Sequence, residues 1–303
     1  MQQIADGRPP PSPGGYVKKP YNVRRNADAG GESAPRGPRR AAVVEFQPRN
    51  VDSETVAEWF RNPPEPLSES LSRYQRKMAD YLLEMGRLDG LENLERSGTL
   101  PGAALKYFQR VLDLYDEAVQ LFLGYLRRSG MDVQCTAGCS HCCYHMPTGV
   151  SSMELIYLYY GMQRSGSSGR LFRRCLEAEE VWFGIYRQVG ADPSTPDPRS
   201  ALLTRYHQEQ RPCPFLEEGR CLVYPYRPFA CRMHFSLSPR YWCHPRRAQN
   251  SETVQFNVEP GPCVLDALDR LEDRMQLAAS DVLVCGMLEL TVNILHFEPL
   301  VWS

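Results

Sequence analysis

Seven cysteines crowd into two short stretches, Cys135-Thr-Ala-Gly-Cys139-Ser-His-Cys142-Cys143 and Cys213-Pro-Phe-Leu-Glu-Glu-Gly-Arg-Cys221-Leu-Val-Tyr-Pro-Tyr-Arg-Pro-Phe-Ala-Cys231-Arg232. A thiol deprotonates readily beside a cation, and one soft metal gathers up to four thiolates. Such density is the chemistry of an iron–sulfur cluster or of bound zinc or iron. Seven thiols exceed what one tetrahedral ion or one four-cysteine cluster can use, so either two metals are held or some thiols stand beside the ligands without binding. Cys142-Cys143 sharpens the point. Neighbouring side chains of an extended segment face opposite ways, so the pair suits a multinuclear site or a division of roles. The long connection between the stretches is no obstacle, because loop-closure cost grows only logarithmically with length while metal binding supplies far more.

Other donors surround these stretches. His141 and His145 lie in the first, and His234, Cys243 and His244 follow the second. Imidazole suits zinc and iron alike, which makes His234, Cys243 and His244 possible additional ligands. A lone histidine is more often a surface or hydrogen-bonded residue. Arg227 and Arg232 supply fixed cations that would offset thiolate charge and donate to sulfur or backbone carbonyls, with Tyr224 beside them. Tyr224, Tyr226 and the two arginines are also candidates for touching a substrate. Cys175, Cys263 and Cys285 lie in helical segments and read as packing residues.

The ordered set Cys139-Ser-His-Cys142-Cys143, Cys213-Pro-Phe-Leu, Cys221-x-x-Tyr224 and Arg227-Pro228-x-x-Cys231-Arg232 resembles the YkgJ-type cysteine-cluster family, the CxxCxxCC or zinc- or iron-chelating domain. The match spans about residues 135–232 and departs from the family in having three residues, not two, between Cys135 and Cys139. The resemblance implies a thiolate-held metal. Larger proteins of this kind are similar to flagellin lysine methylases, whose cysteines are associated with an iron–sulfur cluster, and this favours the cluster slightly over zinc or iron ions. Cys135-x-x-x-Cys139-x-x-Cys142 also has the spacing of radical S-adenosylmethionine enzymes. Those place the motif after the first strand of a βα barrel, and no alternation of strands and helices is visible here.

The 303 residues carry a net charge of -1 and are 42% hydrophobic, enough for a real core without a global pull toward nucleic acid. No apolar run reaches the roughly eighteen residues of a membrane span. The first residues do not resemble a signal peptide, so the chain is expected in the cytoplasm, where clustered thiols serve metals or catalysis rather than disulfides. Residues 1–50, rich in Pro, Gly and Arg, read as a disordered tail.

The elements that must position the cysteines read as helices. Ser70 to Leu94 is helical, and Leu105, Phe108, Leu112, Tyr115, Val119, Phe122 and Leu126 mark a long amphipathic helix, with Pro101-Gly102 turning the first onto the second as an antiparallel hairpin. Ser151-Ser-Met-Glu154 fits a capping box opening another helix. Further helices are expected over about 169–188 and 202–210, through Val264 to Ala278, and from a Ser280-Asp281 cap to about Phe297. Thr253 to Val258 is the best strand signal. The expected fold is therefore mainly α, a single irregular helical domain over 51–303 whose Cys-rich, Pro-rich loops (135–244) converge on a central metal site.

The leading functional expectation is a metal-binding protein with a redox or structural site. The alternatives are a cluster-dependent enzyme of methyl or redox transfer, protein modification included, and a module that stores or delivers zinc or iron. No Gly-rich phosphate loop, His-Glu-x-x-His helix or Gly-x-Ser-x-Gly elbow is present.

Overall fold

Helices carry the architecture of the computed structural model, which describes residues 52–302 apart from 66, 137, 191–196, 246–252 and 278. The Pro/Gly/Arg-rich tail expected over 1–50 lies outside the described residues. In chain order the helices are α1 (Ser53–Arg61), α2 (Leu67–Gly86), α3 (Leu94–Ser97), α4 (Gly102–Arg128), α5 (Ser152–Arg164), α6 (Ser168–Gly190), α7 (Pro198–Gln208), α8 (Phe229–Arg232), α9 (Pro262–Met275) and α10 (Leu283–Glu289). The strands are two or three residues long and pair as β1 (Thr99–Leu100) with β6 (Val301–Trp302), β2 (Leu216–Glu217) with β3 (Arg220–Cys221), and β4 (His234–Ser236) with β5 (Gln255–Asn257). None of the described helices is long and apolar enough to cross a membrane.

The core begins where the sequence periodicity is strongest. Phe108, Leu112, Tyr115, Val119, Phe122 and Leu126 are all buried along one face of α4, against α2. α2 also packs on α9, whose Val264, Leu268, Leu271 and Met275 are buried. The first helix ends earlier than the pattern through Leu94 implies. Gly86 closes α2, and Gly90, at φ 87, makes the left-handed turn before a 3-10 segment and α3.

α5 starts as its capping box requires. Ser151 Oγ accepts from the Glu154 amide, while the Glu154 carboxylate accepts from the Ser151 amide at 2.7 Å and from its hydroxyl at 2.8 Å. α10 departs from expectation at both ends. It opens at Val282 with no side-chain cap, and its last turn relaxes into a π segment at Leu290–Ile294. Asp281 instead takes the Arg199 guanidinium at 3.0 Å, and the Ser280 amide donates to Glu289 at 2.5 Å.

Candidate metal centre

The first cysteine loop leaves the C-terminus of α4 and runs to the capping box of α5, with a 3-10 turn at His141–Tyr144. That turn corrects the extended reading of Cys142-Cys143. Successive side chains of a 3-10 helix stand about 120° apart rather than on opposite faces. The second loop is joined to the first directly, since the Cys213 amide donates to the Cys143 carbonyl at 2.7 Å.

Cys213 and Cys221 flank a hairpin that the strand patterning did not reveal. β2 and β3 pair Leu216 with Cys221, and the turn residues Glu218 and Gly219 both sit at positive φ, 48 and 74. This is the twist a two-residue hairpin demands, and Glu-Gly is a weaker sequence signal for it than Asn-Gly. Arg174 of α6 braces the hairpin by donating to the Leu216 carbonyl at 2.6 Å.

Cys231 rides on α8, which α4 and α5 hold in place. The Phe229 ring meets Tyr115 edge-on at 4.9 Å, and the Phe229 amide donates to Glu154 at 2.6 Å. Arg232 is buried, and its guanidinium donates to the Pro225 carbonyl at 2.7 Å, the Arg227 carbonyl at 2.7 Å and the Asp116 carboxylate of α4. Arg232 thus closes the turn before Cys231. Arg227 covers the exposed Tyr224 ring at 3.6 Å, and its charge acts to lower the pKa of Cys142, Cys221 and Cys231, against the burial that raises the last two. Tyr226 turns inward against Gly161, where an added Cβ would fall 2.5 Å from ring atoms. Gly161→Ala is therefore expected to lose about 1–3 kcal/mol through overpacking, read as a lower denaturation midpoint.

The thiols titrate unevenly. The hydrogen bond from Cys143 holds Cys142 down at about 7, with Arg227 adding to it against the opposing effect of burial; the same bond, together with burial, pushes Cys143 up. Burial also raises Cys213 to about 12 and lifts Cys221, Cys231 and Cys243. Without a cation the Cys143, Cys213, Cys221, Cys231 and Cys243 thiols hold their protons at neutral pH, and a bound metal would have to displace them.

The remaining donors separate. His234 Nδ1 is 2.7 Å from Asn257 Oδ1 and the ring also engages the Ala230 backbone, which occupies it within the β4–β5 ladder. His244 packs edge-on against His141 at 5.5 Å, and His145 stacks on His207 at 3.8 Å. His207, near the end of α7, was not singled out from sequence. It is buried, its Nε2 has no hydrogen-bond partner among the described residues, and burial lowers its pKa to about 4. Cys175 and Cys285 are buried packing residues, whereas Cys263 is exposed at the start of α9, contrary to the packing role its helix suggested.

As placed, no three His, Cys, Asp or Glu side chains among the described residues are arranged to hold one metal ion. The donor set itself suits a soft metal: thiols on two hydrogen-bonded loops, one of them poised to ionise, with a guanidinium beside them. No family model matches the chain, and neither a curated protein nor a solved structure is significantly similar to it.

Proposed function

We propose that the protein is a thiolate metal-binding protein, holding an iron–sulfur cluster or zinc or iron ions between the two cysteine loops in a redox or structural role. The observation that carries this reading is the direct joining of the loops. The Cys213 amide bonds the Cys143 carbonyl, and Cys143 has Cys142, Cys213 and Cys231 as electrostatic neighbours. Cys135, Cys139, Cys142, Cys143, Cys213, Cys221 and Cys231 are the ligands, and metal would supply the cation that the raised proton affinities of Cys135, Cys143, Cys213, Cys221 and Cys231 require. Arg227 offsets part of the thiolate charge, while Arg232 and Tyr224 shape the turn that presents Cys231. Metal content per chain of protein purified without oxygen tests the reading, and metal affinity should rise with pH as the thiols lose their protons.

A further inference from the structure

The turn that leads to Cys231 carries an exposed surface of aromatic rings and arginines. Its 3-10 segment, Tyr224–Tyr226, packs on α5. The Tyr226 ring lies against Gly161 and meets Tyr160 edge-on at 5.7 Å, and Tyr160 meets Trp302 of β6 edge-on at 5.5 Å. Arg164, exposed at the end of α5, donates to the Tyr160 hydroxyl at 3.4 Å. Tyr224 is 59% exposed, with the Arg227 guanidinium 3.6 Å from its ring centroid. Arg227 is fixed there by its own bonds, from Nε to the Tyr224 carbonyl at 3.2 Å and from Nη1 to the Cys231 carbonyl at 3.5 Å.

Side chains held in place before a partner arrives lose little entropy on binding, and Tyr, Trp and Arg are the residues that dominate interface energies. The charge of this surface is open. Among the described residues neither Arg164 nor Arg227 forms an ion pair with a carboxylate, whereas Arg232 of α8 is taken by Asp116. The complement is therefore acidic. The packing of the rings disfavours nucleic acid, because Tyr160, Tyr226 and Trp302 meet edge to face and Tyr224 gives one face to Arg227, which leaves little open ring face for stacked bases. Two guanidiniums in a chain of net charge -1 also fall short of the basic stripe that a phosphate backbone requires.

We propose that this surface docks an acidic segment of a partner protein, whose carboxylates meet Arg164 and Arg227 while an apolar side chain packs on Tyr224. The docking goes beyond the thiolate reading and does not depend on bound metal.

The test adds a short fluorescent peptide of glutamate and leucine, carrying a benzophenone cross-linker, to full-length protein. Its affinity, read by fluorescence anisotropy, should fall as salt is raised. It should weaken about tenfold in Arg164→Glu and in Tyr224→Ala, two exposed positions whose variants should keep the wild-type circular dichroism, and stay unchanged in Arg76→Ala, an exposed arginine of α2. Cross-links should map to residues 160–164 and 224–227. No binding by wild type, equal binding of a lysine–leucine peptide, tighter binding of oligothymidylate, wild-type affinity in both variants, or cross-links confined to other residues, 1–51 included, would each overturn the proposal. All of these outcomes leave the thiolate reading standing.

Discussion

Replacing Cys143 or Cys231 with alanine should abolish metal retention and lower the melting temperature sharply, while Cys175→Ala and Cys285→Ala should keep the metal. Cys143 lies where the loops join, and Cys231 sits on a helix held by Tyr115, Glu154 and Arg232. Thiolate sites couple binding to folding, with apparent metal-binding energies on the order of 10 kcal/mol. Losing one ligand forfeits much of that and leaves raised-pKa thiols with no cation to ionise them. The control residues are 1% and 5% exposed, on α6 and α10, and truncation there removes only a small buried group, at a cost of about 1 kcal/mol. Elemental analysis of each variant beside its thermal melt checks the contrast. Metal retained by Cys143→Ala or Cys231→Ala would defeat the ligand assignment.

The second large effect is expected at Glu154, a residue 1% exposed that satisfies three donors. Its carboxylate takes the Ser151 amide and hydroxyl at the start of α5 and the Phe229 amide at the start of α8. Glu154→Ala strands these buried donors and releases the Cys231 turn from α5. At about 1–3 kcal/mol for each unsatisfied group, the loss should reach about 3–5 kcal/mol, or roughly 10 °C in melting temperature. Burial raises the Glu154 pKa, with the Ser151 and Phe229 amides acting against it. The folded state therefore binds this proton more tightly than the unfolded chain does. The group's contribution is full below its unfolded pKa and declines as pH rises through its folded pKa. Denaturation midpoints of wild type and Glu154→Gln across that window check this, the variant lacking the decline. A wild-type-like melt for Glu154→Ala would contradict the strut.

Much of the helical frame was legible because its signals are local. The buried stripe of α4 and the capping box of α5 are periodic or contiguous in sequence, and the structure repeats them almost residue for residue. What was not legible depends on distant pairing. Nothing near Glu154 announces that Phe229 will donate to it, and nothing near Gln134 announces that its amide will donate to Ser236. The β2–β3 hairpin escaped notice because its strands are two residues long and alternate too briefly to register. The local backbone at Cys142-Cys143 was not legible, because the segment is a 3-10 turn rather than the extended chain assumed. His207 offered no signal beyond its residue type, since its burial comes from tertiary packing rather than from its own helix pattern.

The central claim is that the joined cysteine loops hold metal, and the most direct measurement is elemental analysis with visible absorption of wild-type protein purified without oxygen. The account predicts stoichiometric iron with sulfide and a brown charge-transfer spectrum, or a colourless protein with stoichiometric zinc, or iron without sulfide. Protein that is folded, fully reduced and free of bound transition metal, and that stays so after anaerobic incubation with iron and sulfide or with zinc, would contradict it.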